Sequence, residues 1–213
     1  MCIRDRTIPD LNHLPFRIEE FQDALNSSTS EKLNKALNEI EFAKAHTTNF
    51  DAFYNANLPY RVCHNDSKLN NILFSRSEHK GRCLIDLDTI MKGYFHYDFG
   101  DLVRTVVSES NEDETELSKI KFNKSYFIAF LEGLNRSGIT LTEKEIKNLP
   151  TACALMPFMH GLRALTDYLN GNVYYKVVYD EQNLDRCKSL FKLTELTLKQ
   201  EPFITNEIGK RLK

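Results

Sequence analysis

The fold is decided by the stretch Val62-Cys-His64-Asn-Asp66-Ser-Lys68-Leu-Asn-Asn71-Ile-Leu-Phe-Ser-Arg-Ser-Glu-His-Lys-Gly81-Arg-Cys-Leu-Ile-Asp86-Leu-Asp88. Short apolar runs on either side of a polar loop, and a polar turn that ends in glycine, predict strand, loop, strand, turn and strand. One acid lies in the loop and a second acid follows the last strand. This arrangement is typical of a phosphoryl-transfer site.

Within the loop, His64, Asp66 and Asn71 follow the spacing His-x-Asp-x-x-x-x-Asn. A kinase must hold an acceptor hydroxyl in line with the γ-phosphate of ATP, so its side chains contribute mainly positioning and electrostatics. We predict that Asp66 accepts the hydroxyl proton and that the amide oxygen of Asn71 binds Mg²⁺. Lys68, two residues after Asp66, is placed to meet the γ-phosphate as a point charge.

A second metal ligand is predicted where the last strand of the stretch ends. The apolar run Cys83–Ile85 indicates a buried strand, and the Asp86 carboxylate that follows it can bind Mg²⁺. Asp88 shares a strand face with Asp86 by the period of two, which makes it either a second metal contact or a partner of nearby backbone. We interpret His64 as a structural residue of the loop.

These motifs resemble the aminoglycoside phosphotransferase and choline kinase superfamily, which is built on the protein-kinase fold. Similarity to its N-acetylhexosamine 1-kinase branch is carried by His64–Leu73, Ile85–Met91 and Tyr97–Asp101, and more weakly by Thr7–Leu11 and Leu162–Tyr175. The resemblance implies an α+β, predominantly helical fold, the C-terminal lobe of a kinase-like protein with small antiparallel β-ribbons around the catalytic loop. It also implies Mg²⁺, ATP as phosphoryl donor, and the anomeric hydroxyl of an N-acetylhexosamine as acceptor.

The triplet Asp98-Phe99-Gly100 spells the metal-binding motif of protein kinases, but its position argues against that role. Asp86 lies 20 residues beyond Asp66, whereas Asp98 lies 32 beyond it and follows an aromatic segment instead of an aliphatic strand. We interpret Asp98 as a helix N-cap. The resemblance implies that its carboxylate supports the catalytic loop from behind.

Two late positions are candidates for contact with the sugar. The resemblance implies that Arg163 reaches it through hydrogen bonds and that Tyr174 does so by stacking or through its hydroxyl. The alternative is that Arg163 pairs with a core acid and that Tyr174 only contributes packing.

Composition narrows the class of protein. The 213 residues are 41% hydrophobic and carry a formal net charge of −2, which fits one globular domain and favours neither a nucleic-acid nor a membrane partner. Five cysteines without a C-x-x-C pair argue against a disulfide framework and a zinc site. With no apolar run long enough to span a bilayer and no signal region, we predict a cytoplasmic protein of undetermined oligomeric state.

The start of the chain carries two expectations. Residues 1–6 resemble a spurious leader of fragmentary gene models from metagenomic assemblies, which leaves residues 7–213 as the kinase-like lobe. A complete enzyme of this class has an N-terminal lobe with a phosphate-covering loop and a strand lysine. Because the chain lacks Gly-x-Gly-x-x-Gly and begins with predicted helices, we expect it to lack that lobe and to be inactive or nearly so alone.

Apolar periodicity predicts helices through most of the remaining chain. The predicted helices cover Ile18–Leu25, Ser30–His46, a short piece around Phe50–Tyr54, Asp98–Glu109, Leu117–Asn135, Glu143–Leu169 and Asp185–Gln200. Thr142 and Glu145 form a predicted capping box, and Pro150 and Pro157 predict two helices or one kinked helix after it. Pro202 is expected to end the last helix.

Two other classes are compatible with parts of the pattern. A metal-dependent hydrolase could use Asp66, Asp86 and Asp88 as a carboxylate cluster, but such sites generally include histidine ligands and only His64 is near. A non-catalytic kinase-like binding module is the second alternative, which the intact Asp66, Asn71 and Asp86 disfavour. Within the kinases, an aminoglycoside or a choline-like alcohol remains open as acceptor.

Overall fold

A computed structural model describes residues 8–212. Helices predominate in this range, and the described strands form two antiparallel pairs. The helices are α1 (Leu14–Ser27), α2 (Ser30–Lys35), α3 (Leu37–His46), α4 (Asp51–Tyr54), α5 (Phe95–Val106), α6 (Lys124–Arg136), α7 (Glu143–Leu169), α8 (Gln182–Lys199) and α9 (Glu201–Arg211). The strands are β1 (Arg61–Cys63), β2 (Ile72–Phe74), β3 (Gly81–Leu84) and β4 (Met91–Gly93). The predicted α+β, predominantly helical class is confirmed, whereas the predicted leader lies outside the described residues.

The two ribbons hold the ends of the catalytic loop. β1 pairs with β4, which the sequence did not predict, and β2 pairs with β3 as the predicted hairpin. The prediction that the last strand is buried is wrong, because Leu73 and Leu84 are each 49% exposed and Cys83 is exposed too. An apolar run indicates a strand that some other element covers, but none of the described elements covers this ribbon.

Helix α7 is the centre of the molecule, because α1, α5, α8 and α9 all pack against it. The predicted capping box begins it: the Thr142 hydroxyl accepts the Glu145 N–H, and the Glu145 carboxylate accepts the Thr142 N–H. Pro150 and Pro157 lie inside one helix, so the two-helix alternative is wrong. Eighteen of the 27 residues of α7 are buried, and this packing compensates for the hydrogen bonds that the prolines remove.

Several helix boundaries differ from the predictions. Helix α5 begins at Phe95 with Tyr94 as N-cap, so the N-cap interpretation of Asp98 is wrong. The predicted helix Ser30–His46 is interrupted at Ala36. Pro202 lies in the first turn of α9 instead of ending the helical region, because proline needs no N–H donor at that position.

The predicted helix Leu117–Asn135 is also shorter in the structure. Leu117–Lys119 forms a 3₁₀ turn, and α6 begins only after Asn123, whose side chain caps it. None of the described helices has the length and apolar character that a membrane crossing requires.

Candidate active site

The first half of the catalytic loop is held by the side chain of Asp98 on α5. Its carboxylate accepts the backbone N–H groups of His64 at 2.8 Å and Asn65 at 2.7 Å, while its carbonyl accepts the Ser67 hydroxyl at 2.9 Å. Burial raises the pKa of the Asp98 carboxyl, although the two N–H donors oppose that shift. The Asp98 carboxylate therefore binds the catalytic loop and does not cap the helix that carries it.

His64 links the loop to the strand that precedes the second acid. Its Nε2 lies 2.9 Å from the carbonyl oxygen of Ile85, and the side chain is buried. The N–H of Ile85 in turn donates to the carbonyl of Asn71 at 3.0 Å. These bonds bring Asp86 beside the loop that carries Asp66.

The polar side chains of the loop form one cluster with Asp86. Oδ2 of Asp66 accepts Lys68 Nζ at 2.9 Å and Asn71 Nδ2 at 3.0 Å. Nδ2 of Asn71 also lies 3.5 Å from Oδ2 of Asp86, so this amide bridges the two acids. Asp66, Lys68, Asn71 and Asp86 are therefore neighbours in the structure.

Charge in this cluster favours a protonated lysine. Burial alone would lower the pKa of Lys68, but the hydrogen bond and the negative charge of Asp66 outweigh it, so that the pKa rises. Lys68 is thus a cation at neutral pH, and it lies directly beside the carboxylate that we predict as the base.

Asp86 takes an unusual backbone conformation, with φ of 63° and ψ of 51° in the left-handed region. Aspartate tolerates this region better than most residues. Strand β3 ends two residues earlier, at Leu84, and Leu87–Thr89 after Asp86 forms a 3₁₀ turn. The strand-face argument for Asp88 is therefore wrong, because the alternation of side chains stops before Asp86.

The ligand types in the cluster fit magnesium. Within residues 8–212, no three His, Cys, Asp or Glu side chains are grouped so that they could hold a metal. Mg²⁺ is usually bound through one or two carboxylates together with water and substrate phosphates, so it needs no such cage. The Asp86 carboxylate and the Asn71 amide oxygen are suitable hard ligands for it, but Asn71 here turns its Nδ2 toward Asp86, so its amide would have to rotate to offer the oxygen.

Arg163 and Tyr174 contact each other. Arg163 Nη2 lies 3.4 Å from the Tyr174 hydroxyl, and the guanidinium carbon lies 5.5 Å from the centre of its ring. Tyr174 is 67% exposed, which contradicts the alternative that it only packs in the core. Both side chains line a cavity of about 520 Å³, a volume within the usual range for small-molecule sites.

This cavity is separate from the catalytic cluster, since neither Asp66 nor Asp86 lines it. A second cavity, of about 360 Å³, is lined by Asn65 and shares Ile8 and Leu11 with the first. Ile8 and Leu11 thus lie between the cavity that Arg163 lines and Asn65, the neighbour of Asp66.

Asp167 is a site residue to which sequence reasoning gave no role. Its buried carboxylate accepts the backbone N–H groups of Val173, Tyr174 and Tyr175 at 2.8–3.0 Å, and the Asn183 side chain at 2.8 Å. It therefore fixes the loop that presents Tyr174. The available signal was an acid three residues before Asn170-Gly171-Asn172, a sequence typical of a tight turn.

The fold and the cluster define a kinase-like lobe of the kind that phosphotransferases use. Residues 4–133 match the family model described as "Phosphotransferase enzyme family" (APH). This match covers more than half of the chain, and the chain therefore belongs to that family. It includes the catalytic loop and α5 but not α7, which carries Arg163.

Proposed function

We propose that the protein transfers the γ-phosphate of ATP to the anomeric hydroxyl of an N-acetylhexosamine, which gives a sugar 1-phosphate. The observation that carries this proposal is the bridge that Asn71 makes between Asp66 and Asp86, at 3.0 Å and 3.5 Å. Family membership supports phosphoryl transfer to a small molecule. The choice of acceptor rests on the sequence resemblance to the hexosamine branch.

In this proposal Asp66 takes the proton of the acceptor hydroxyl. Lys68 and Asn71 both bind Oδ2 of Asp66, and so they fix the rotation of its carboxylate before the substrate arrives. Lys68 then offers its positive charge to the transferring phosphoryl group. Mg²⁺ held by Asp86 and Asn71 would neutralise the charge of the phosphates.

His64 and Asp98 support these groups without touching the substrate. The Asp98 carboxylate receives two backbone N–H groups of the loop, and His64 contacts the residue before Asp86. Together they limit the relative movement of Asp66 and Asp86. Such preorganisation matters because positioning is the main contribution of a kinase to catalysis.

Arg163 and Tyr174 are the proposed sugar contacts. The Arg163 guanidinium offers several hydrogen-bond donors, and the exposed Tyr174 ring offers an apolar face. The cavity walls carry both signs of charge, with Arg17 and Arg163 against Glu20, Asp23 and Asp167. Because that balance selects neither a neutral sugar nor a cation, choline-like alcohols and aminoglycosides remain the alternative acceptors.

We further propose that a second lobe packs on the β2–β3 ribbon and supplies the phosphate-covering loop and the strand lysine. The β2–β3 ribbon supports this idea, because its apolar side chains are exposed directly beside Asn71 and Asp86. An apolar surface of this kind next to a charged site is suited to a covering domain and a nucleotide base.

The test is an ATP-consumption assay of the protein that the complete gene encodes, with N-acetylhexosamines, choline and an aminoglycoside as acceptors. We expect consumption with an N-acetylhexosamine and a sugar 1-phosphate by ³¹P NMR. The matched control is the 1-O-methyl glycoside of the same sugar, which lacks the anomeric hydroxyl and should be inert. Phosphorylation of that glycoside, or consumption only with another acceptor, would overturn the assignment, and acceptor-independent release of phosphate would favour a hydrolase.

A further inference from the structure

Asn65, between His64 and Asp66, has the features of a residue that sets the geometry of its neighbours. Its φ is 64°, in the left-handed region that asparagine tolerates better than most residues. The residue is only 6% exposed, whereas the Asp66 side chain beside it is 21% exposed. One side chain is therefore buried while the next one faces the site.

The amide of Asn65 joins the two segments that carry the acids. Its Nδ2 lies 3.1 Å from the carbonyl oxygens of Cys63 and Thr89, and 3.4 Å from that of Met91. Cys63 ends the strand before the loop, whereas Thr89 and Met91 follow Asp86. Since the amide has two N–H groups, it serves both segments at once.

The other groups of Asn65 are also held. Its backbone N–H donates to Asp98, and its carbonyl accepts Asn12 Nδ2 at 2.9 Å. A Cβ at Gly93 would lie 2.4 Å from Oδ1 of Asn65, so strand β4 comes this close only because residue 93 is glycine. Neighbours on four sides therefore fix both the backbone and the side chain.

We infer that Asn65 is a positioning residue that sets the spacing between Asp66 and Asp86. The inference deepens the proposed function and rests on it. Without the amide, the carbonyls of Cys63 and Thr89 would lose a buried donor, and the segment after Asp86 could move relative to the loop. A displacement of about 1 Å in such a site reduces turnover by about 100-fold.

The test uses the protein that the complete gene encodes and the variant Asn65→Gly, which keeps the left-handed backbone and removes the amide. Asn57→Gly is the matched control, because Asn57 has φ of 49° and is exposed. We expect Asn65→Gly to lower kcat by about 100-fold with KM for the acceptor changed less than about threefold. Mn²⁺ binding in the presence of ATP, followed by electron paramagnetic resonance, should weaken by about tenfold.

The Mn²⁺ measurement separates this inference from the proposed function. Wild type that binds Mn²⁺ with ATP but phosphorylates no acceptor would refute the proposed function and leave Asn65 testable by binding. Asn65→Gly with wild-type kcat and wild-type Mn²⁺ affinity would overturn the inference. The inference would also be overturned if the activity of Asn65→Gly fell only in proportion to the fraction of unfolded protein while its Mn²⁺ affinity stayed at the wild-type value. That result would mean a purely structural role.

If Asn65→Gly does not fold, Asn12→Ala gives a milder test, since it removes only the bond to the Asn65 carbonyl. We expect the same pattern, with kcat and Mn²⁺ affinity each reduced by about threefold for a bond of about 0.6 kcal/mol. Unchanged values of both would overturn the inference.

Discussion

Replacement of Glu145 by Gln tests the link between the catalytic ribbon and the central helix. The buried Glu145 carboxylate accepts Arg61 Nε at 2.5 Å and Arg61 Nη2 at 2.8 Å, and also the Thr142 N–H at 2.8 Å. Arg61 begins β1, which leads into the catalytic loop, and Glu145 lies in the first turn of α7. Glutamine preserves the size of the side chain but loses the charge and one acceptor oxygen.

The pKa of Glu145 gives the magnitude. The hydrogen bond from Arg61 is the main cause that lowers this pKa from 4.5 to about 2, although burial opposes it. A shift of this size corresponds to about 3 kcal/mol of unfolding free energy at pH 7. Because the folded pKa is depressed, the contribution is complete above pH 4.5 and is lost as the pH falls toward 2.

The assay is denaturant unfolding of wild type and Glu145→Gln at pH 7 and pH 4. We expect the variant to be less stable by about 3 kcal/mol at pH 7, and the difference to shrink by about 0.8 kcal/mol at pH 4. The matched control is Glu132→Gln, which removes an exposed ion pair to Arg136 and should cost less than about 0.5 kcal/mol. A Glu145→Gln variant as stable as the control, or a difference that widens at pH 4, would refute the reasoning.

Two further predictions concern the loop that presents Tyr174 and the packing of the helices. Asp167→Asn should raise KM for the acceptor by about tenfold with little effect on KM for ATP, because it loosens the backbone hydrogen bonds that hold Tyr174. Steady-state kinetics measures both constants, and an unchanged KM for the acceptor would contradict this prediction. Gly100→Ala should destabilise the protein by at least about 2 kcal/mol, since a Cβ there would lie 2.3 Å from the Ala152 carbonyl oxygen. The control is Gly133→Ala, where nothing lies within 4 Å of the added carbon, and thermal unfolding should show it neutral or more stable by up to about 1 kcal/mol. Equal effects of Gly100→Ala and Gly133→Ala would contradict the packing argument.

The elements that the sequence predicted correctly are those that local patterns specify. The β2–β3 hairpin follows from two apolar runs and a turn that ends in Gly81, and the capping box follows from Thr142 and Glu145. The cluster around Asp66 was predictable because its members lie at fixed spacings along one loop and the strand after it.

The features that the sequence did not predict depend on distant contacts or on single backbone angles. Strand β4 exists because it pairs with β1, from which it is separated by the whole catalytic loop. Strand β3 ends at Leu84 and the backbone of Asp86 is left-handed, so no periodicity argument could place Asp88. Asp98 binds a loop far away in the chain, so its capping propensity alone predicted the wrong partner, whereas the family resemblance predicted the contact with the catalytic loop.

The central claim is that Asp66 is the base of a phosphoryl-transfer site, and turnover by Asp66→Asn in the complete protein tests it most directly. Asparagine keeps the size of the side chain and removes its basicity, so kcat should fall by at least about 1,000-fold while the melting temperature changes by less than about 3 °C. Asp51→Asn, an exposed position in α4, should behave as wild type. Near-normal turnover by folded Asp66→Asn protein would contradict the account.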